Sequence, residues 1–241
     1  MEIDDTINKW FDDSKSLLQE LNLPKCKIDI MILSTISLID NYLNNALLIL
    51  NGGSRLPAMA LLRVMGEFIS KITYCLKGKN QKEVENRIGR WEKSSLIQRR
   101  ELYKKILSRY KKPNSQVQFK KVQEWINETE DEIKKIKSHG LPQNQDIFLE
   151  AFGEHHPVGQ DGIYHQYHCS IHVDLETLAR TIRNNEYTGD FEFNIEDLKF
   201  ECLTHAYFYL KEIYEYYELN TQIINDDYDR LLQRILKRIN S

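Results

Sequence analysis

The sequence is short of the residues that make turns, with only 10 glycines and 5 prolines among its 241 residues. An all-β protein needs a turn about every 8 to 12 residues, and this chain has too few turn-forming residues for that. Hydrophobic residues make up 41% of the chain, which is enough for a core. The composition therefore favours an all-α protein.

Cysteines and long apolar runs are scarce as well. The four cysteines are widely spaced and form no C-x-x-C pair, so the sequence predicts neither a disulfide framework nor a zinc knuckle. No stretch approaches the roughly 20 consecutive apolar residues of a transmembrane helix. The acidic N-terminus lacks the basic and apolar regions of a signal peptide. We expect a reduced, cytoplasmic protein with no membrane contact.

Charge is unevenly distributed along the chain, although the net charge is only −3. Between Lys77 and Gly140 there are 18 Lys and Arg residues against 9 Asp and Glu. The remainder is correspondingly acidic. This asymmetry predicts either an anionic partner for the basic part or docking of the basic part against an acidic surface.

Apolar residues recur at helical spacing over most of the chain. The sequence NGGS at 51–54 predicts a helix end followed by a new helix. The Gly- and Pro-rich stretch 138–162 predicts loops, and NNEYTGDFEFN is the one segment with strand-like alternation. We predict an all-α helical bundle that forms a single domain over residues 1–241, with residues 80–138 projecting from it as a charged helical hairpin. The predicted helices cover 28–50, 54–76, 82–112, 116–138, 163–184, 194–219 and 226–239.

One predicted helix, LLRVMGEFISKITYCL at 61–76, carries a polar stripe. At 100° per residue its polar side chains fall within about 60° of one another. Two interpretations stay open: an ion pair on the surface, or a buried stripe whose charges need partners from elsewhere. The stripe consists of Arg63, Glu67, Ser70 and Tyr74. The predicted apolar face on the opposite side consists of Leu61, Val64, Met65, Phe68, Ile69 and Ile72.

Five of the seven histidines fall between His155 and His172, most of them in YHQYHCSIH at 164–172. A metal site is one interpretation, because imidazole and carboxylate are common ligands. There is no H-E-x-x-H and no pair of E-x-x-H motifs, as metalloproteases and di-iron bundles use. The cluster therefore does not predict a particular metal.

Two other interpretations involve no metal. His172 or His168 can act as a general acid–base, with Arg63 stabilising a developing anion. Alternatively the histidines form a hydrogen-bonded structural layer, in which His172 pairs with Glu67 or Glu176. His205 lies in a different, largely apolar helix and is most simply a core histidine with its hydrogen bonds satisfied.

Two motifs carry a resemblance. L-x-R-x-x-x-E on one helix and Y-x-x-Y-x-x-S-x-H on a later one resemble an uncharacterised family of prokaryotic helical proteins, loosely similar to the HEPN (higher eukaryotes and prokaryotes nucleotide-binding) bundles. The resemblance implies an all-α fold and a cofactor-independent site of the kind found in ribonucleases, toxins and phage-defence components. The residues that match the two motifs are Leu61, Arg63, Glu67, Tyr164, Tyr167, Ser170 and His172. Together with His168 from the general acid–base interpretation, the candidate catalytic residues are Arg63, Glu67, Tyr167, His168 and His172.

HEPN bundles place a histidine four to six residues after an arginine, and no histidine in this chain has that spacing. Either Arg63 and His172 come together from separate helices, or the ribonuclease activity does not extend to this chain. The sequence leaves open whether the protein is an enzyme.

The segment 87–112 has ten basic and two acidic residues, with Trp91, Tyr103 and Tyr110 between them. Basic residues interleaved with aromatics suit a phosphate backbone with occasional base stacking. The alternatives are a solvated hairpin whose aromatics pack on its other helix, and an acidic protein partner, including a second copy in a homo-oligomer. The predicted phosphate contacts are Arg90, Arg99, Arg100, Lys104 and Lys105.

These observations lead us to expect a protein that binds or acts on RNA, as a toxin-like or phage-defence effector. The alternative is a non-catalytic protein-interaction module whose Arg, Glu and His layer is structural.

Overall fold

The structure, a computed structural model, describes residues 3–20, 26–109, 116–152, 182–183, 186–187 and 194–239. Over these residues it contains eight α-helices and two strands of two residues each. The prediction of an all-α helical bundle is confirmed. The elements are α1 (Ile3–Gln19), α2 (Lys27–Asn51), α3 (Arg55–Leu76), α4 (Gln81–Arg109), α5 (Gln116–Lys135), α6 (Asn144–Phe152), β1 (Ile182–Arg183), β2 (Glu186–Tyr187), α7 (Ile195–Tyr216) and α8 (Gln222–Ile239).

The chain divides into two compact units. Unit 1 comprises Met1–Leu76 and Phe148–Ser241, and unit 2 comprises Lys77–Ile147. In unit 1, α2, α3 and α7 pack on one another, while α1 and α8 pack against α7 and against each other. In unit 2, α4 and α5 pack together. The predicted hairpin at 80–138 falls inside unit 2, and a single domain over 1–241 stays a prediction.

The predicted helix end at NGGS is confirmed. α2 ends at Asn51, and the N–H of Gly53 donates to the carbonyl of Leu50 at 2.9 Å. Gly53 has a φ of +82°, a left-handed conformation in which a Cβ would be strained. The chain reverses there, and α3 begins at Arg55.

Tyrosines of α7 and its C-terminal cap connect α7 to its neighbours in unit 1. Tyr209 and Tyr214 are fully buried, and their hydroxyls donate to the carbonyls of Ile32 in α2 at 3.3 Å and Ser14 in α1 at 2.9 Å. Buried hydroxyls need such acceptors, since an unsatisfied polar group inside a core is costly. α7 is thereby fixed at the centre of unit 1.

Three local predictions were wrong. The nine-residue helix α6 lies in the stretch predicted as loop, where flanking Gly and Pro residues concealed the i,i+4 spacing of its buried residues Ile147 and Ala151. Ile182 and Arg183 pair with Tyr187 and Glu186 as antiparallel strands, although a helix was predicted to continue to residue 184. β2 falls in NNEYTGDFEFN, the segment whose strand-like alternation the sequence shows. The last helix begins at Gln222, four residues earlier than predicted.

The remaining helix predictions agree with the structure to within a few residues, except where they fall outside its described part. Asn194 caps α7 as predicted, its side chain accepting the N–H of Glu196 at 3.1 Å. No helix among the described residues combines the length and apolar character needed to cross a membrane.

Candidate functional site

Arg63 and Glu67 form an ion pair on α3, with Arg63 Nε 3.3 Å from Glu67 Oε1. Lys71 lies one turn further along, its Nζ 4.0 Å from the other carboxylate oxygen. All three side chains are half-buried. Glu67 therefore sits between two cations of its own helix, which suits a structural role as well as a functional one.

The buried face of α3 is not the one predicted. Met65, Ile69 and Ile72 are buried as expected, but the face is turned by roughly 80° from the predicted apolar face at 100° per residue. Small and polar residues form part of it, because α2 and α7 pack closely there. The polar stripe borders this face, with Ser70 and Tyr74 buried and Arg63 and Glu67 at its edge. Residues buried contrary to the hydropathy pattern are Gly66 and Thr73, while Leu61, Val64 and Phe68 are half-buried.

The histidine side of the predicted site lies outside the described residues. Tyr167, His168 and His172 all belong to that part of the chain, so their convergence with Arg63 and Glu67 stays a prediction. In the described ranges, no three His, Cys, Asp or Glu side chains are grouped to hold a metal ion.

His205 is a core histidine, as predicted. It is 1% exposed, and its Nδ1 lies 2.8 Å from the carbonyl oxygen of Glu201. Its Nε2 faces Gly66 of α3, where a Cβ would lie 3.3 Å from that nitrogen. Burial lowers the pKa of His205 to about 4. The ring is therefore neutral at physiological pH and occupies the space that Gly66 leaves.

Glu201 of α7 is a half-buried acid with an unusual environment that the sequence did not predict. Burial, followed by repulsion from Asp197, raises its pKa to about 8. Its Oε2 is buried without a hydrogen-bond partner. The sequence pattern that could have indicated this acid is D-x-x-x-E-x-x-x-H within an otherwise largely apolar helix. It places Asp197, Glu201 and His205 four residues apart on one face of α7. A carboxyl group that keeps its proton near neutral pH is a frequent component of functional sites.

Polar aromatic residues join α7 to α8 close to Glu201. The rings of Tyr207 and Tyr228 stack with centroids 4.0 Å apart, and Tyr207 donates to Asn225 Oδ1 at 2.9 Å. The hydroxyl of Tyr228 lies 3.5 Å from Thr204 Oγ1. Burial is the main cause of the raised pKa of Tyr228, and the negative charges of Asp229 and Glu201 add to it.

A shallow groove of about 320 Å³ separates α1 from α8. Its cations each have a partner: Lys9 pairs with Asp13 at 2.5 Å, Arg230 pairs with Asp227, and Arg234 donates to Thr6 at 3.4 Å. Lys9 and Arg230 are thus paired with carboxylates, whereas Arg234 has a neutral partner, so the lining carries a net formal charge of +1. Its lining is Thr6, Lys9, Trp10, Asp13, Asp227, Arg230, Leu231 and Arg234.

In unit 2, acidic residues neutralise part of the predicted phosphate-binding surface. Arg99 pairs with Glu132 of α5. Lys104 lies 3.6 Å from Glu101 and 3.7 Å from Glu130, and Arg100 lies 2.9 Å from Glu101. Lys105 is exposed on α4, and Arg90 is half-buried. Three of the five predicted contacts thus have carboxylate partners within the hairpin.

The same hairpin carries an aromatic platform, formed by Tyr103 of α4 with Lys121 and Trp125 of α5. The Tyr103 and Trp125 rings lie 5.5 Å apart, and Lys121 Nζ lies 5.5 Å from the centre of the Trp125 ring. Trp125 is 39% exposed and Tyr103 is half-buried. The sequence indicated only the aromatics of the first helix of the hairpin; Trp125 was not predicted, because the platform arises from the pairing of α4 with α5.

A comparison with known proteins complements this geometry. No curated protein and no solved structure matches the chain. A family model matches residues 32–190, from α2 through β2, which is more than half of the chain. The chain therefore belongs to the family of unknown function DUF5677.

Proposed function

We propose that the protein binds single-stranded RNA on the aromatic platform of unit 2. The observation that carries the proposal is the exposure of Trp125 beside Tyr103 and under Lys121. A large indole ring with a cation above one face is ready to stack with a base while the cation contacts the adjoining phosphate.

The surroundings of the platform support an anionic ligand. Arg99, Leu102, Tyr103 and Ile106 follow the i, i+3, i+4, i+7 spacing of one face of α4. Lys105 and Arg109 are exposed further along the same helix, turned about 160° and 120° from Tyr103 at 100° per residue, so a strand stacked on the platform has to pass around the side of α4 to reach them. Since Arg99 and Lys104 have acidic partners in α5, we assign the phosphate contacts to Lys105, Arg109 and Lys121 instead.

The test is a fluorescence anisotropy titration of a short labelled single-stranded RNA with the full chain, at salt concentrations between about 50 and 200 mM. Three phosphate contacts predict a slope of log K against log salt of about −2. The triple variant Lys105→Gln, Arg109→Gln, Lys121→Gln flattens this slope. Lys134→Gln with Lys135→Gln also removes exposed positive charge, but at the far end of α5, and leaves the slope nearly unchanged.

Stacking is tested by Trp125→Ala, which weakens binding by about 5- to 150-fold. Phe119→Ala is the matched control, because Phe119 is 41% exposed on the same helix but turned about 120° from Trp125. Equal effects of the two changes, or no binding at the lowest salt, would show that the platform is not an RNA site.

The proposal extends to RNA cleavage through the resemblance to HEPN bundles, with Arg63 and Glu67 of α3 and His172 as the acting groups. A cytoplasmic toxin-like or defence effector would cleave cellular RNA. Product analysis on a denaturing gel tests this with Arg63→Ala and His172→Ala beside the unchanged chain. Cleavage that survives both changes removes these residues from the mechanism and leaves RNA binding as a separate question.

A second candidate is a non-catalytic interaction module. The observation that favours it is the position of Glu67 between Arg63 and Lys71 on one helix, an arrangement that stabilises α3 without any ligand.

A further inference from the structure

The groove between α1 and α8 is lined in the same way by both helices. Each helix contributes four residues at the i, i+3, i+4, i+7 spacing of one helix face, beginning at Thr6 in α1 and at Asp227 in α8. The groove therefore follows the two helices for about two turns. Its volume of about 320 Å³ lies at the lower end of the range of small-molecule sites, roughly 300 to 1,000 Å³. A ligand that fits this groove is small.

One end of the groove is electrically neutral. Lys9 pairs with Asp13 at 2.5 Å, and Arg230 pairs with Asp227. The two pairs lie near each other across the groove, since Asp13 is the main cause of the raised pKa of Lys9 and the charge of Asp227 adds to it. Two cations and two carboxylates leave this end without net charge to offer a ligand.

The other end of the groove has a cation with a neutral partner. Arg234 donates to the hydroxyl oxygen of Thr6 at 3.4 Å, which is long for a hydrogen bond. Within the part of the chain that the structure describes, no carboxylate lies within ion-pair distance of this guanidinium. A guanidinium presents its N–H donors in a planar fork that matches a carboxylate. Most of this fork is available at the Arg234 end.

Trp10 adds a second donor to the lining of the groove. This residue is 5% exposed, and its indole Nε1 is buried without a hydrogen-bond partner among the described residues. An indole N–H can only donate, and buried donors nearly always have an acceptor. Trp10 follows Thr6 by one turn on the lining face of α1, beside the end that holds Arg234. The buried Leu231 of α8 completes an apolar floor.

We propose that this groove binds a small organic monocarboxylate. Its carboxylate pairs with the guanidinium of Arg234 and accepts the indole N–H of Trp10, while its apolar part packs on Trp10 and Leu231. The net formal charge of +1 of the lining matches one negative charge, whereas a phosphate monoester brings about two. None of these residues belongs to the aromatic platform of unit 2, so this inference is independent of RNA binding.

The test is a titration of the isotope-labelled full chain with phenylacetate, followed by two-dimensional NMR. The indole N–H signal of Trp10 moves to higher frequency as the carboxylate reaches it, while the signals of Trp91 and Trp125 stay in place. The loss of one signal in Trp10→Phe identifies it. A ligand of this size predicts a dissociation constant of about 1 to 10 mM. Phenylacetamide has the same shape without the charge, and it binds about tenfold more weakly or less.

Two variants separate the contributions of the two donors. Arg234→Gln weakens phenylacetate binding by about tenfold or more, because a hydrogen-bonded charge pair is lost. Trp10→Phe keeps an aromatic ring but removes the N–H, and it weakens binding by about 2- to 10-fold, measured on the backbone signals of α8. Lys237→Gln is the matched control, since it removes an exposed positive charge from the same helix outside the groove. Its effect stays within about twofold.

Each outcome decides for or against the site. A Trp10 signal that does not move at about 20 mM phenylacetate overturns the proposal, because that concentration exceeds the expected dissociation constant. Equal affinities for phenylacetate and phenylacetamide, or equal effects of Arg234→Gln and Lys237→Gln, also overturn it. A saturable shift that is lost in Arg234→Gln and kept in Lys237→Gln establishes a carboxylate site. Circular dichroism checks that the variants are folded, and the two exposed changes decide even where Trp10→Phe is not.

Discussion

At the scale of single residues, the position of the His205 ring restricts which side chain position 66 can hold. The imidazole is held by the carbonyl of Glu201 at 2.8 Å, and its other nitrogen faces the bare Cα of Gly66. A methyl group at position 66 would lie 3.3 Å from that nitrogen, which is closer than the ring can easily accommodate. Glycine is thus retained inside a helix despite a helical propensity about 1 kcal/mol below that of alanine.

A double-mutant cycle tests this pairing. In the wild-type chain we expect Gly66→Ala to lower the free energy of unfolding by about 1 kcal/mol, because overpacking outweighs the gain in helical propensity. In a His205→Ala background the same change raises it by about 1 kcal/mol, since the space is then open. Urea unfolding measures both. An equal effect of Gly66→Ala in the two backgrounds would contradict the contact.

At the scale of elements, one hydrogen-bonded group joins the start of α2 to the end of α7. The buried carboxylate of Asp29 accepts the N–H of Cys26 at 2.9 Å, which caps α2, and the hydroxyl of Tyr217 at 2.5 Å. Burial and the neighbouring carboxylate raise the pKa of Tyr217, so its hydroxyl remains a donor. Helices far apart in sequence are thereby fixed end to end.

Tyr217→Phe removes only this hydroxyl. We expect it to lower the free energy of unfolding by about 1.5 to 3 kcal/mol, the usual contribution of a hydrogen bond to a charged group. Tyr42→Phe is the control, because that half-buried ring stacks on Phe68 at 6.2 Å and its change should stay within about 0.5 kcal/mol. Urea denaturation measures the free energy of unfolding of both variants. If Tyr217→Phe were as stable as Tyr42→Phe, the hydrogen bond to Asp29 would contribute little to stability.

At the scale of the whole molecule, two titratable groups on α7, the half-buried Glu201 and the buried His205, give the free energy of unfolding opposite dependences on pH. The pKa of Glu201 is raised from 4.5 to about 8, so between these values the folded state keeps a proton that the unfolded chain loses, and stability falls as pH rises. The pKa of His205 is lowered from 6.5 to about 4, so stability rises with pH over that interval. The two effects oppose each other below pH 6.5, and only that of Glu201 continues to pH 8.

We therefore expect the free energy of unfolding to decline by on the order of 2 kcal/mol between pH 6.5 and 8 through Glu201. Glu201→Gln, which resembles the protonated acid in shape and charge, removes this decline. Glu215→Gln, an exposed change on the same helix, retains it. Chemical denaturation at the two pH values measures the effect, and parallel pH profiles for the wild type and Glu201→Gln would argue against a protonated Glu201.

Sequence patterns alone predicted most of the helices, though not α1 or α6, because helix formation depends largely on local spacing and on the residues that begin and end a helix. The predicted end at NGGS and the Asn194 cap both agree with the structure, since backbone conformation and capping are properties of a few adjacent residues. The all-α class followed from the scarcity of glycine and proline. The satisfied core histidine at 205 was also predictable, because it lies among apolar residues at helical spacing.

Packing alone decided which faces and which side chains meet. The buried face of α3 turned toward Gly66 and Thr73, because close contact with α2 and α7 favours small residues that hydropathy does not mark. The raised pKa of Glu201 depends on burial between helices, and the Trp125 platform depends on the pairing of α4 with α5. The carboxylates that neutralise Arg99 and Lys104 likewise come from α5, some 30 residues away in sequence. Such contacts join residues that are far apart in the sequence, so they cannot be predicted from the spacing of neighbouring residues.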